Sequence, residues 1–261
     1  MKLTGERPIE GKTPDSLLAL HAAGYREVRD RLDAGGRFLD LGCGLADGTA
    51  TFAQEGRVLV GIDYDATTAA EARREKASIG LMTACSDGSA LSLASDSFDY
   101  VCSSHLIEHF VEPQFHAREV ARVLAPDGTA FFITPNAPAD FENPYHVYLF
   151  EPDDLREMLG RYFADVEVIG LDATPHVKAD FEKRRAMARK LLALDPLGLR
   201  HKLPRSWFVA LHAAGRRVAY RFMADEQGGG NSGITDAEFF TTDHIDDSTL
   251  VLLAVARKPL I

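Results

Sequence analysis

One run of residues constrains the fold of this chain more than any other, because in it an apolar strand leads into a glycine turn and then a helix start. The run reads Phe38-Leu39-Asp40-Leu41-Gly42-Cys43-Gly44-Leu45-Ala46-Asp47-Gly48-Thr49. Glycines suit such a turn because a ligand can approach backbone N–H groups closely only where no β-carbon intervenes. The run therefore predicts an α/β protein that binds a ligand at the end of its first core strand.

Short apolar runs separated by helical segments continue along the chain from Arg37. This alternation is typical of a parallel sheet with crossover helices. Turn residues at Gly35-Gly36, Asp127-Gly128 and Pro135-Asn136 mark several strand ends. The predicted strands cover residues 37–41, 58–63, 79–85, 98–103, 129–134 and 165–171, with a seventh at 249–255.

Two helical segments flank or interrupt this predicted core. Residues 1–35 read as an N-terminal helical cap whose helix runs to Leu32, because Thr13 can cap it and Pro14 suits its first position. Residues 172–247 read as a mostly helical insertion or lid that ends in a glycine-rich stretch, Gly228-Gly229-Gly230-Asn231-Ser232-Gly233. Residues 36–171 would form the core and residues 248–261 would return to it as the last strand.

Composition limits the cellular location, the partners and the kinds of site that we expect for this chain. No stretch reaches the roughly 18 apolar residues that a membrane span needs, and the first residues lack the apolar centre of a signal peptide, so we expect a soluble, cytoplasmic protein without a membrane span. The net charge of −10 argues against a nucleic-acid partner. The three cysteines, Cys43, Cys85 and Cys102, form no C-x-x-C pair, so the spacing suggests neither a disulfide framework nor a metal site.

A second acidic residue, Asp63, follows the second predicted strand about twenty residues after the glycine turn, where a carboxylate can accept both hydroxyls of a ribose. These two features alone would also fit a dinucleotide-binding dehydrogenase. In that fingerprint the third small residue would fall at Asp47, whose charge would oppose a pyrophosphate. The pattern therefore disfavours a dinucleotide.

The same run resembles motif I of class I S-adenosylmethionine (SAM)-dependent methyltransferases, with Ala46 in place of the third glycine and Gly48 beside it. Four further blocks are similar to the family in order and spacing. They are Asp63-Tyr64, Ser86-Asp87-Gly88-Ser89-Ala90-Leu91, the fourth-strand block from Ser97 to His109, and Arg122-Val123-Leu124-Ala125-Pro126-Asp127-Gly128. The resemblance implies a Rossmann-like, seven-stranded sheet in which six strands are parallel and strand seven is antiparallel, with helices on both faces.

The resemblance also implies roles for particular residues toward SAM, the expected cofactor. Asp40 would face the ammonium end of the methionine moiety. Tyr25 of the N-terminal helix would reach the cofactor carboxylate, with plain packing, which its helical spacing favours, as the alternative. Asp63 would hold the ribose and Tyr64 would lie against the adenine. Asp87 would accept from the exocyclic amine while the Gly88 N–H would contact the ring. The turn glycines Gly42 and Gly44, and Ser104 after strand four, complete the predicted cofactor-binding set.

Methyl transfer from a sulfonium is a direct displacement, so alignment and exclusion of water are the enzyme's main contributions. A base matters only for a hydroxyl or a protonated amine, to which it contributes about 10²- to 10⁴-fold. His105, beyond strand four, and His146, in the loop after strand five, are the candidate catalytic bases, with an ordinary polar rim position as the alternative for either. Glu108 and His109 resemble residues that are more often structural in the family.

The leading hypothesis is a small-molecule methyltransferase acting on a hydroxyl of a sugar or natural-product scaffold, with the insertion as a substrate roof. The alternatives are an RNA or protein methyltransferase, N-methylation of a small amine, and a non-catalytic SAM-binding protein. Against the nucleic-acid alternative, Ser103-Ser104-His105-Leu106 stands where base N-methyltransferases carry an Asn/Asp-Pro-Pro-aromatic motif. A homodimer is compatible with the sequence.

The predicted insertion is strongly basic. Residues 178–221 carry 12 Lys and Arg against 3 Asp and Glu, although the whole chain is acidic. Arginine's planar fork suits phosphate and carboxylate, so Arg216, Arg217 and Arg221 favour an anionic acceptor held under the roof. The alternatives are a solvated basic face, an anionic membrane surface and a dimer partner.

Overall fold

The computed structural model describes residues 13–140, 145–192 and 232–261 of the chain. Eight strands form one continuous sheet. They are β1 (Gly36–Leu41), β2 (Arg57–Asp63), β3 (Met82–Cys85), β4 (Phe98–Ser104), β5 (Leu124–Pro135), β6 (Phe163–Ala173), β7 (Phe239–Thr242) and β8 (Val251–Pro259). Their order across the sheet is β3-β2-β1-β4-β5-β8-β6-β7.

The sheet is mostly parallel. Strands β1 to β5 pair in parallel, and β8 lies antiparallel between β5 and β6, so that β6 runs in the same direction as β5. The α/β fold with a mostly parallel sheet is thus confirmed. The predicted count of seven strands is wrong, because β7 adds an antiparallel edge strand beside β6. β7 is only four residues long, which is too short for its side-chain alternation to stand out in the sequence.

Six helices accompany the sheet in the described residues. They are α1 (Asp15–Arg29), α2 (Asp47–Ala50), α3 (Ala66–Glu75), α4 (Pro113–Val123), α5 (Pro152–Leu159) and α6 (Pro175–Leu192). Helix α1 ends at Arg29 and not at Leu32 as predicted. The N–H groups of Arg31 and Leu32 donate three residues back, to Val28 and Arg29, so the chain tightens into a turn there.

Two apolar clusters cover opposite faces of the sheet, as the period-two geometry of strands requires. Phe38 belongs to the cluster on one face and its neighbour Leu39 to the cluster on the other. On β5, Phe131 and Phe132 divide in the same way. Helices α1 and α6 cover the first face, and α4 and α5 cover the second.

Two predicted strand boundaries are corrected. The third strand begins at Met82, because a 3-10 turn at Ala77–Ile79 ends in Gly80, whose φ of 72° is left-handed. The last strand extends to Pro259, because its backbone pairs with both β5 and β6 well beyond the apolar run that marked it in the sequence. The left-handed turn at Gly80 thus sets the start of β3, and pairing with two neighbouring strands sets the end of β8.

The predicted insertion, residues 172–247, contains α6 and β7 in its described part. Residues 193–231, which include Arg216, Arg217, Arg221 and most of the glycine-rich stretch, lie outside the described residues. A search of the described chain finds no helix that combines the length and the apolar character needed to cross a bilayer.

Candidate functional site

The carboxyl ends of β1 to β4 meet at one edge of the sheet, and most of the predicted cofactor residues lie there. Leu41 at the end of β1 pairs with Ile62 on one side and Ser103 on the other. The end of β2 pairs with that of β3, and the Ser86 N–H donates to the Asp63 carbonyl over 3.2 Å. The four loops that follow these strands therefore lie side by side, as ligand-binding loops of open α/β sheets do.

The glycine turn after β1 is built from left-handed residues. Gly42 and Gly44 have φ values of 76° and 56°, and Ala46 has a φ of 62°. The N–H groups of Gly42 and Cys43 both donate to the Ile62 carbonyl, which fastens the turn to β2. Ala46 therefore adopts the conformation of the glycine that it replaces, at a cost of about 1 to 2 kcal/mol for a residue with a β-carbon.

Asp40 is fully buried beneath this turn. Its Oδ2 accepts hydrogen bonds from Thr49 Oγ1 at 2.5 Å and from Tyr25 Oη at 3.2 Å, so α1 contributes directly to the site. Burial raises the pKa of Asp40 to about 7, against the lowering effect of the two hydroxyl donors, and the neighbouring Asp63 raises it further. A buried carboxyl group with this pKa is suited to a positively charged ligand group, which would restore its ionised form.

The Asp63 carboxylate fixes the turn from the side of β2. Its Oδ2 accepts from the Gly44 N–H at 3.1 Å and its Oδ1 from the Asp65 N–H at 2.9 Å, and the residue is buried. Tyr64 beside it is exposed, with 58% of its surface accessible, so its ring borders the site at the protein surface. The structure thus brings Gly44 and Asp63 together, as their predicted roles at one ligand require.

The loop after β3 is shaped by Asp87. Its Oδ1 accepts from both the backbone N–H and the hydroxyl of Ser89, at 2.8 and 2.7 Å, and chiefly this backbone hydrogen bond lowers the pKa of Asp87. One oxygen of the Asp87 carboxylate therefore stabilises its own loop. The sequence analysis predicted only a role for Asp87 toward the exocyclic amine of the ligand. The Gly88 carbonyl is also held, by a histidine that the sequence analysis missed.

That histidine is His116, in the middle of α4 and fully buried. Its Nδ1 lies 2.8 Å from the Gly88 carbonyl oxygen, which can only accept, so Nδ1 carries the proton. Its Nε2 then accepts from the Ser103 hydroxyl, also at 2.8 Å. The ring stacks on Phe110 with centroids 4.8 Å apart. One imidazole thus ties the end of β4 to the loop after β3, although a single histidine on a helix gives no signal of this in the sequence.

We expect His116 to make folding sensitive to acid. Burial lowers the pKa of its imidazole to about 4, against hydrogen bonding to Gly88. The pKa of His116 is lower in the folded than in the unfolded protein, so protonation at acid pH favours unfolding. The folded state therefore keeps its full stability above about pH 6.5 and loses about 3 kcal/mol as the pH falls toward 4. Urea unfolding from neutral pH down to about 4 should show wild type losing about that much more than His116→Gln. His176→Gln, at an exposed histidine, is the control, and parallel curves for wild type and His116→Gln would contradict the expectation.

The candidate base His105 lies immediately after β4 with a left-handed φ of 49°. Its Nδ1 faces Glu108 Oε1 at 3.5 Å, and the ring of His21 from α1 packs on it with centroids 4.3 Å apart. Its Nε2 is buried and has no hydrogen-bond partner among the described residues, and the same is true of the Ser104 hydroxyl. Such polar atoms at a ligand-binding edge are suited to hydrogen-bond a ligand.

The second candidate base, His146, follows β5. Its Nδ1 lies 2.7 Å from Asp140 Oδ1, and its ring lies against that of His109 with centroids 5.2 Å apart. His109 directs its own Nδ1 to the Tyr145 carbonyl at 2.9 Å. The loops after β4 and β5 therefore bring His105, His109 and His146 together around one carboxylate, that of Glu108.

Glu108 is fully buried and ionised. Burial alone would raise its pKa, but His105, followed by His109 and His146, outweighs burial and holds the pKa at about 2. Thr134 donates its hydroxyl to Glu108 Oε2 at 3.1 Å, and the backbone carbonyl accepts from Val147 and Tyr148. Glu108 thus joins the loops after β4 and β5 and places a negative charge at the centre of the histidines.

Comparison with known proteins agrees with this geometry. The sequence profile of the family described as "Methyltransferase domain" matches residues 39–132. The chain is 30% identical to a "Probable S-adenosylmethionine-dependent methyltransferase" of Mycobacterium tuberculosis over 68% of this chain and 67% of that protein. It is 29% identical to the "Ubiquinone biosynthesis O-methyltransferase" of Parvibaculum lavamentivorans over 38% of this chain and 40% of that protein.

Among solved structures, the fold resembles that of the [4+2]-cyclase SpnF with a TM-score of 0.56, at 18% identity, over 92% of this chain and 81% of that one. At this level of identity the likeness shows the fold alone. Together, these similarities cover both the turn after β1 and the sheet that positions it.

Proposed function

This chain belongs to the S-adenosylmethionine-dependent methyltransferase family and uses SAM as its cofactor, and from that premise we propose that it methylates a hydroxyl group of a small-molecule acceptor. The observation that carries the proposal is the buried Nε2 of His105, which has no hydrogen-bond partner in the described chain and stands where the strands of the sheet end. The finer proposal, a sugar or natural-product scaffold as acceptor, follows from the sequence analysis.

The residues around β1 and β2 fit the cofactor. Asp40 offers a desolvated carboxylate to the ammonium group of SAM, and Tyr25 holds that carboxylate in place. Gly42 and Gly44 keep the turn free of β-carbons at left-handed positions, and Asp63 would accept from a ribose. Gly88 and Asp87 would meet the adenine, with Tyr64 at its rim. The Ser104 hydroxyl, buried and without a partner in the described residues, is available to the methionine end.

The protein's part in the reaction is alignment and proton removal. Bound SAM supplies an electrophilic methyl group on a sulfonium sulfur. His105 Nε2 would accept the acceptor's hydroxyl proton as the oxygen attacks, while Glu108 on the Nδ1 side orients the ring and stabilises the imidazolium that forms. Of the two predicted bases we favour His105, because its buried Nε2 has no hydrogen-bond partner among the described residues.

The relative from Parvibaculum lavamentivorans is an O-methyltransferase by name, which supports oxygen as the methylated atom. The proposal of an anionic acceptor rests on the basic charge of residues 178–221. In the described part of that segment, Lys178 pairs with Asp172 at 2.6 Å and Arg184 pairs with Asp180 at 2.9 Å. Arg216, Arg217 and Arg221, the arginines proposed to hold the anion, lie outside the described residues.

The proposal is tested by a turnover screen in which purified protein and SAM are incubated with panels of nucleotide sugars, glycosides and phenolics, and with small amines and RNA as competing classes. Release of S-adenosylhomocysteine is measured, and the product is identified by mass. O-methylation of a member of the hydroxyl panels is expected. Turnover only with amines or RNA, or tight SAM binding without any turnover, would overturn the proposed acceptor class.

We expect SAM affinity to rise with pH and then level off near pH 7 because of Asp40. The free carboxyl, whose pKa is about 7, faces Tyr25 of α1, Thr49 of α2, Cys102 of β4 and Asp63 of β2. The ammonium group of SAM would lower this pKa, so binding releases a proton below pH 7 and affinity changes by up to about tenfold per pH unit. Titration calorimetry in two buffers of different ionisation enthalpy measures that proton.

Asp40→Asn should abolish this pH dependence, whereas Asp154→Asn, at an exposed position of α5, should keep it. A wild-type affinity that stays constant as the pH rises through the acid range to 7 would contradict the placement of the ammonium group at Asp40.

A further inference from the structure

Three side chains from two loops converge beside the proposed acceptor site. One ligand atom from each of Glu108, His109 and His146 lies within 4.8 Å of the other two. Glu108 and His109 belong to the 3-10 turn after β4, and His146 belongs to the loop after β5. His146 lies far from the other two in the sequence, and the expectation of no metal site rested on the cysteines alone, so their spacing could not reveal this cluster.

Both imidazoles are fixed through the same ring nitrogen. His109 Nδ1 lies 2.9 Å from the Tyr145 carbonyl oxygen, which accepts, so Nδ1 carries the proton and Nε2 is the basic nitrogen. His146 Nδ1 lies 2.7 Å from Asp140 Oδ1, which fixes the same tautomer. Metal-binding histidines in proteins are typically held in this way, with one ring N–H donated to a carbonyl or carboxylate and the other nitrogen directed to the ion.

Glu108 supplies an independent observation. Its side chain is fully buried, and its Oε1 has no hydrogen-bond partner among the described residues, although Oε2 accepts from Thr134. The histidines around Glu108 offset part of the cost of its desolvation, but this oxygen still lacks a hydrogen bond among the described residues. His105 Nδ1 is 3.5 Å from this oxygen, which is too long to satisfy it as a hydrogen bond. A bound cation would satisfy it.

We propose that Glu108, His109 and His146 bind a divalent transition-metal ion such as zinc. Two imidazole nitrogens and one carboxylate oxygen are a ligand set of catalytic zinc and of other first-row transition metals, and they leave a coordination position open. Magnesium prefers an all-oxygen shell and is disfavoured here.

The ion would lie next to His105. This step rests on the function proposed above. The open position of the ion would take the acceptor's hydroxyl oxygen, and the hydroxyl proton becomes easier to remove when that oxygen is bound to the metal. His105 would accept that proton and the oxygen would attack the methyl carbon, so that the C–O bond forms as the C–S bond breaks. The ion thus selects acceptors that can coordinate through oxygen.

Metal binding is tested on the full chain, separately from activity. Protein stripped with a chelator is titrated with Zn²⁺, Co²⁺ and Mg²⁺ by calorimetry, and the visible spectrum of the Co²⁺ form reports its coordination. We expect one Zn²⁺ or Co²⁺ per chain and much weaker Mg²⁺ binding. Glu108→Gln and His109→Gln should each weaken Zn²⁺ at least about 100-fold, and Asp140→Asn, which only orients His146, about 10- to 100-fold.

His244→Gln, at an exposed histidine remote from these ligands in the sequence, should keep wild-type Zn²⁺ affinity. A variant at the buried Glu108 can fail to fold, so the thermal unfolding of each variant is measured with and without Zn²⁺. His244→Gln and Asp140→Asn provide folded comparisons. Zn²⁺ binding that is absent from wild type, or equal in all variants, would overturn the proposal. Zn²⁺ binding at these residues without methyl transfer would leave the metal site standing and overturn only the proposed function.

Discussion

Replacing Gly44 with valine is expected to abolish SAM binding, with a loss of affinity of at least about 100-fold, while the protein remains folded. Gly44 has a φ of 56°, a conformation that is strained for a β-branched residue, and its N–H donates to Asp63 at 3.1 Å. The strain amounts to about 1 to 3 kcal/mol, and the added side chain would also occupy the approach to the turn. Titration calorimetry with SAM measures the loss.

The chain offers a matched control for the backbone strain. Gly80 has a φ of 72°, and a β-carbon there would meet nothing within 4 Å. Gly80→Val should therefore show a comparable fall in stability with SAM affinity unchanged. If Gly44→Val bound SAM as tightly as Gly80→Val does, the turn after β1 would not contact the cofactor.

His105→Asn is expected to lower kcat by about 10²- to 10⁴-fold on a hydroxyl acceptor, the contribution of a well-placed base. Asparagine is chosen because it tolerates the left-handed φ of 49° at this position, so the backbone hydrogen bond from the His105 N–H to Ile133 at 2.8 Å should survive. Affinity for SAM should stay close to that of wild type, since the replaced side chain is assigned to the acceptor and not to the cofactor.

The measurement is S-adenosylhomocysteine release under saturating SAM, with binding followed in parallel by calorimetry. His244→Asn, at an exposed histidine, is the control for a histidine-to-asparagine change. Wild-type kcat in His105→Asn would mean that alignment alone drives the reaction. A loss of SAM affinity as large as the loss of kcat would assign His105 to cofactor binding.

Prediction from sequence succeeded where the pattern was local. The run from Phe38 to Thr49 predicted a strand, a left-handed turn and a helix start, and all three are present at β1, the turn and α2. The apolar runs marked the other six strands of the core, although the third run begins before β3 and the last run ends before β8 does. Strand β7 was missed because it is short, and boundaries such as Gly80 depend on turn geometry.

The sequence supplied candidate residues for the site but not their contacts. The sequence proposed Asp40, Asp63 and Ser104 one by one, and the parallel order of the strands brings the loops that carry them to one edge of the sheet. The contacts between Asp40 and Tyr25 and between Asp63 and Gly44 needed the packing of α1 and of the turn. His116 and His21 gave no signal of their contacts in the sequence, because each lies within an ordinary helix.

The sequence by itself determined the fold class, the glycine turn and the acids around it, because these depend on residues adjacent along the chain or one strand apart. Tertiary structure alone decided which histidines meet Glu108, which carbonyl His116 holds and how strongly Asp40 is desolvated. Those contacts join loops after β3, β4 and β5 and the helices α1 and α4, whose separation in the sequence carries no information about distance. Burial then set the protonation states, because desolvation acts only once the surrounding elements have packed.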